Sequence, residues 1–255
     1  MIKVALIFLL YGYQSPIWAS NQLREMEYAE EIEASFSVGN VAWLETKNKA
    51  FLTLYTETEE SENIGTAIIL HPMDGHPDQK KVINPLRTYL PEHDWATLSI
   101  QLPVLGFGAK EQDYYSVFEE AKVRIQTSID FLVASKVKNI ILIGYGLGGM
   151  MAVNFIKDSS DVDAIVTISL PVPDSENPEV QMLDFLGEIK YPFLDIYAEF
   201  DLPEVTDSAR KRRIAGKVSL VYRQFEIKGE GHLFQHDEGL LVKRIYSWIN
   251  RTFKK

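Results

Sequence analysis

The hydrophobic rhythm of the chain changes once. Residues 37–45 and 51–57 alternate apolar and polar positions on either side of the polar stretch Thr46-Lys47-Asn48-Lys49. That alternation predicts an antiparallel hairpin. From residue 66 onward the apolar runs are compact and unalternating: 66–71, 95–102, 139–144, 163–170 and 192–198. Strands of this kind are buried on both faces, as in a parallel sheet. The run 219–227 is more polar and predicts an edge strand. Helical spacing fills the gaps. Tyr114, Phe118, Ala121, Ile125, Ile129 and Leu132 step by three or four within 113–135, and Leu241, Ile245, Trp248 and Ile249 fall on one helical face near the C-terminus. Residues 79–90, 147–157 and 205–215 are the other predicted helices. Two strands followed by repeated strand–helix units predict one α/β domain, a mostly parallel eight-stranded sheet with helices on both faces. Residues 171–190, rich in Pro, Asp and Glu, interrupt the pattern and are expected to form a short insert, a loop or small lid over the C-terminal ends of the strands.

The first residues stand apart. Residues 1–19 carry Lys3, an unbroken apolar run from Val4 to Leu10, then Pro16 and a terminal Ala19. This is the layout of a secretory signal peptide, and the run is too short to span a bilayer. The expected organisation is therefore a signal over 1–19 and a single domain over 20–255, with a periplasmic or secreted product and no integral membrane segment in the mature chain. Composition narrows the chemistry. The chain has no Cys, which excludes disulfides, thiolate nucleophiles and zinc–thiolate sites. A formal net charge of −10 argues against a nucleic-acid partner.

The chemistry-bearing motif is Gly144-Tyr145-Gly146-Leu147-Gly148-Gly149, which follows a predicted strand and opens a predicted helix. It fits two templates. As Gly144-x-Gly146-x-x-Gly149 it matches a dinucleotide-binding fingerprint. As G-x-S-x-G it matches a nucleophile elbow with Gly146 at the serine position. The dinucleotide turn normally follows the first strand of its unit and needs a carboxylate on the next strand, about 20 residues on. Here the turn follows the fifth strand, and the next one ends Thr167-Ile168-Ser169-Leu170 without an acid. The elbow has companions in the expected order of nucleophile, acid, histidine. Asp201 follows the next-but-one strand, in Tyr197-Ala198-Glu199-Phe200-Asp201, and His232 follows the last, in Gly229-Glu230-Gly231-His232. Upstream, Leu70-His71-Pro72-Met73-Asp74-Gly75 occupies the place of the loop that supplies an oxyanion-hole amide.

These residues make the chain resemble the α/β-hydrolase superfamily over essentially its whole mature length. It looks most like an uncharacterised exported family of Gram-negative bacteria in which the elbow serine is commonly replaced. The LHP-x-DG loop, the glycine-rich elbow, the stretch LDIYAEFD, the Arg-rich helix after it and the terminal helix with Trp248 carry this closer likeness. The resemblance implies Asp201 and His232 as a relic or water-activating pair, Gly146 as the position of the nucleophile, and Pro72, Met73, Asp74 and Leu147 as the oxyanion or ligand loop. It implies no cofactor and no metal. Glycine offers no oxygen to attack a carbonyl, so the expected role is non-catalytic binding of a small molecule or an envelope protein. An esterase-like hydrolase in which His232 and Asp201 activate water is the alternative. Tyr145, beside the elbow, is expected to pack beneath it rather than react. His71, Asp74, His76 and Asp78 fall within eight residues and present metal-ligand chemistry, although Asp74-Gly75 between Pro72 and Pro77 also reads as a polar turn. Arg210-Lys211-Arg212-Arg213 is expected as a solvated helix face, with a phosphate-bearing ligand or anionic surface as the alternative. The acidic run 57–62 is expected as a solvated loop, and His93 and His236 carry no motif.

Overall fold

Eight strands form one sheet in the order β1-β2-β4-β3-β5-β6-β7-β8. The computed structural model describes residues 20–47, 49–58 and 63–254. The predicted signal at 1–19 and residues 59–62 of the acidic run lie outside these. In chain order the main elements are α1 (Gln22–Ser35), β1 (Asn40–Glu45), β2 (Ala50–Thr56), β3 (Gly65–Leu70), α2 (Ile83–Tyr89), β4 (Trp95–Ile100), α3 (Glu111–Tyr114), α4 (Phe118–Ala134), β5 (Ile140–Tyr145), α5 (Leu147–Ile156), β6 (Ala164–Ile168), α6 (Met182–Glu188), β7 (Phe193–Phe200), α7 (Pro203–Thr206), α8 (Ala209–Ala215), β8 (Tyr222–Gly231) and α9 (Glu238–Phe253).

The change of rhythm in the sequence is the change of pairing in the sheet. β1 and β2 pair antiparallel, and β2 joins β4 antiparallel. Every pairing from β4 through β3, β5, β6 and β7 to β8 is parallel. The unalternating runs are buried on both faces, as such strands must be. Ile68, Leu98, Leu142, Ile165 and Phe193 pack into one core with α4, α5 and α6. Their neighbours Ile69, Ile143, Val166 and Leu194 pack into another with α2 and α9. β8 is an edge strand, as its polarity predicted, and β1 forms the opposite edge.

Three features depart from the sequence reading. First, α1 was not foreseen. It lays Ala29 and Ile32 over Leu52 and Leu54 of β2, while Asn21 caps its first turn through a bond from the Arg24 amide. Second, the 171–190 insert is not simply irregular. A 3-10 turn at Pro178–Val180 leads into α6, whose Met182 and Leu186 are buried in the core beside α5, so this segment adds to the helical layer. Third, the helix predicted over 205–215 is broken into α7 and α8. Within it Arg212 is fully buried and bonds Asp195 of β7 at 2.9 Å, so only the rest of the basic run is a solvated face. A carboxylate inside an apolar strand needs such a partner.

Candidate active site

The C-terminal ends of the parallel strands bring the candidate residues together. β5 turns into α5 through Gly146, whose φ of 55° and ψ of −119° lie where glycine is favoured. Its amide donates to Ile168 O at 2.9 Å, tying the turn to β6. The flanking glycines serve close packing: a Cβ on Gly144 would meet Gly148 O at 2.5 Å, and one on Gly148 would meet Leu70 O and His71 O at 2.5 Å. Gly146 is different. A Cβ there would meet only Pro72 Cβ, at 3.5 Å. Leu147 opens α5, so its N–H has no acceptor within the helix.

Asp201 and His232 form a hydrogen-bonded pair, with His232 Nδ1 and Asp201 Oδ1 2.7 Å apart. The Asp201 carboxylate is completely buried, while the imidazole keeps 27% of its surface. Asp201 also accepts from Ser169 Oγ at 2.5 Å, from the Ala198 amide at 3.0 Å and from the Leu202 amide at 2.9 Å. Burial works against its charge, but these donors together with His232 hold its carboxyl below the usual carboxylate range. With Asp201 an anion, His232 Nδ1 carries a proton and Nε2 is left to accept one. Tyr145 packs where it was expected. Its ring lies 5.1 Å from that of His232, its hydroxyl donates to His232 O at 2.8 Å, and burial raises its pKa further out of reach. Glu230, also buried, accepts from the amides of His236 and Asp237 and so closes the loop that presents His232.

The loop after β3 folds tightly over Met73 and Asp74. Pro72 O accepts from the Gly75 amide at 3.1 Å and from His71 Nδ1 at 2.8 Å. His71 is buried, and its Nε2 accepts from the Leu102 amide at 2.9 Å, which makes Nδ1 the protonated nitrogen. Burial lowers its pKa to about 3. Asp74 sits at φ 57°. Its Oδ1 accepts from Arg24 at 2.5 Å and from Tyr114 at 2.7 Å, and Tyr28 donates to its carbonyl at 3.0 Å. Asp74 therefore anchors the loop. The four candidate metal-binding side chains are not gathered either: Asp78 bonds Arg87 and Asn84, and His76 accepts from the Asp78 amide. Among the described residues no group of three such side chains converges. Arg24, Tyr28, Tyr114, Ser169 and Glu230 are the supporting residues that the motifs did not reveal.

Comparison with known proteins gives the chain a family and its fold a class. A family model described as "Protein of unknown function (DUF3530)" matches residues 14–110 and 108–251. The chain belongs to this family. No curated protein sequence matches it. Among solved structures, Est1E from Butyrivibrio proteoclasticus is similar over 85% of this chain and 100% of its own, with 14% identity and a TM-score of 0.66. An α/β serine hydrolase homologue from Coxiella burnetii covers 83% of this chain and 97% of its own, at 15% identity and a TM-score of 0.68. An α/β serine hydrolase without lid from Xanthomonas campestris covers 86% and 97%, at 13% identity and 0.67. At such identities the likeness establishes the fold, and the fold of this family member is that of the α/β hydrolases. Among the described residues no helix is long and apolar enough to cross a membrane.

Proposed function

We propose that this protein is an exported α/β-hydrolase-fold protein that has lost the elbow nucleophile and serves as a non-catalytic binding protein in the periplasm or outside the cell. The observation that carries the reading is Gly146, in elbow conformation with room for a serine Cβ beside Pro72, on the same strand ends as the Asp201–His232 pair. Without an oxygen at that position there is no acyl-enzyme route. In a serine protease that loss alone removes about a millionfold in turnover. The segments that carry the site also expose Met73, Phe200, Leu202 and Leu233, apolar surface suited to a ligand with an apolar body.

A second reading keeps some chemistry. His232, oriented by an ionised Asp201, has the form of a general base for water. It requires ester hydrolysis that disappears in His232→Ala.

The decisive experiment restores the hydroxyl. The intact wild-type protein is expected to resist a fluorophosphonate probe, and Gly146→Ser is expected to be labelled at residue 146. His232→Ala in that background should suppress the labelling at least a hundredfold, as general-base loss does. Labelling of the wild-type protein would overturn the assignment of Gly146. A folded but unlabelled Gly146→Ser would mean that the Asp201–His232 pair does not serve this position.

A further inference from the structure

A groove of about 620 Å³ lies between the start of β8 and the exposed side of α9, and shares no residue with the site around Gly146. Val221, just before β8, and Arg223 and Phe225 on it alternate onto one face. On α9, Leu240, Lys243, Arg244, Ser247, Trp248, Arg251 and Thr252 repeat at three and four, forming one stripe. Four cations and no carboxylate line the groove of a protein whose net charge is −10.

These cations are free in a way the buried ones are not. Arg24, Arg87, Arg124 and Arg212 are each paired with a carboxylate. Arg223 bonds only its neighbour's carbonyl, at Tyr222, and Arg244 lies over the Phe225 ring at 5.7 Å. Among the described residues none of the four groove cations has a carboxylate within salt-bridge distance. Beneath them Val221, Phe225, Leu240 and Trp248 give an apolar wall. The Trp248 indole N–H is buried and has no hydrogen-bond partner in the fold.

We infer that this groove binds a single-chain amphiphile with a phosphate monoester head. The head carries roughly two negative charges and three acceptor oxygens at neutral pH. Three arginines offer it the fork-shaped donors that suit phosphate. The chain of the amphiphile replaces water on the apolar wall. The volume is that of a small-molecule site, not of a protein interface.

Titration of the intact protein with dodecyl phosphate, kept below its micelle concentration and followed by calorimetry, tests this. Saturable one-to-one binding is expected, weakening steeply with salt. The double variant Arg244→Glu/Arg251→Glu should bind at least tenfold more weakly, and Lys243→Glu alone should also lose affinity. Arg210→Glu/Lys211→Glu carries the same charge change on exposed residues of α8 and should stay within twofold of wild type. Inorganic phosphate and dodecanol, each offering half of the ligand, should both bind at least tenfold more weakly than dodecyl phosphate. Equal losses in the two double variants would reduce the effect to bulk charge and overturn the site. Binding of phosphate alone as tightly as the amphiphile would overturn the role of the apolar wall. Sedimentation with phosphatidic acid vesicles without binding of monomeric dodecyl phosphate would make the groove a membrane contact, and the inference would fail.

Discussion

The two sides of the candidate site are built on different terms. Around the acid–base pair and the β3 loop, buried polar side chains are also structural parts. Asp201 holds the amides of Ala198 and Leu202 and the Ser169 hydroxyl, and His71 joins the β3 loop to the chain after β4. On the elbow side the turn is held by backbone packing, and the space beyond Gly146 is nearly empty. The difference teaches how to weigh what persists. A side chain that the fold needs survives whether or not chemistry does, so Asp201 and its partners are weak witnesses for activity. A serine at the elbow would make no such bonds and would carry the strain of a positive φ, so glycine there both relieves the backbone and removes the nucleophile.

If these buried polar side chains are structural, acid should break what they hold, and the largest effect is expected at His71 in the β3 loop. Its pKa in the fold, about 3, lies below the ordinary imidazole value near 6.5. The neutral side chain therefore contributes fully above pH 6.5, and its contribution is lost as the pH falls toward 3. The difference corresponds to on the order of 5 kcal/mol across that window. Denaturant unfolding should show wild-type stability falling steeply below pH 6.5. In His71→Gln, less stable at pH 7 by about 1–3 kcal/mol, the fall should be much shallower. His76, which burial also holds below its ordinary pKa, accounts for a residual slope. Parallel pH curves for the two proteins would show that His71 is not the sensor.

The elbow side can be broken by volume. Gly148→Ala sets a Cβ against two backbone oxygens that have no rotamer to change, and should cost about 3 kcal/mol. Gly146→Ala meets only Pro72 and bears mainly the strain of a positive φ, about 1–2 kcal/mol. Chemical denaturation of both variants checks the ranking. A reversed order would mean that the emptiness at Gly146 is not real.

How far this was visible in the sequence depends on where each residue's partner lies. The sheet, its edge strand and the positions of Gly146, Asp201 and His232 are legible because strand periodicity and chain order are local signals. α1 is not, because its buried residues include Arg24 and Glu25, charged side chains that blur the apolar stripe. Arg24 and Tyr28 disappeared with it. Arg212 read as solvated within a basic run, although Asp195 in the middle of an apolar strand was a signal that some cation had to be buried against it. In the sequence Ser169 marks only a strand end that lacks a carboxylate. Its partner lies 32 residues further on, and nothing local to the strand end marks it.

Ser169 also offers the finest test of the comparison. Its hydroxyl bonds the buried carboxylate, while its own backbone sits at φ 50°, where a side chain is disfavoured. Ser169→Ala loses the bond and keeps the strain, so it should cost about 1.5–3 kcal/mol. Ser169→Gly loses the same bond but relieves the backbone, and should recover roughly 1 kcal/mol of that cost. In both variants Asp201 loses one of the donors that favour its charge, so its pKa should rise toward the ordinary value, and the further loss of stability in acid should be smaller than in wild type. The sign follows from the carboxyl's lowered pKa: its contribution is present above the ordinary carboxylate value and lost as the pH falls through the folded one. Thermal and denaturant melts at pH 7 and below pH 5 read both effects. If Ser169→Ala proves as stable as wild type with an unchanged acid limb, Asp201 does not depend on Ser169, and the claim that the acid–base side is kept by the fold loses its best-placed support.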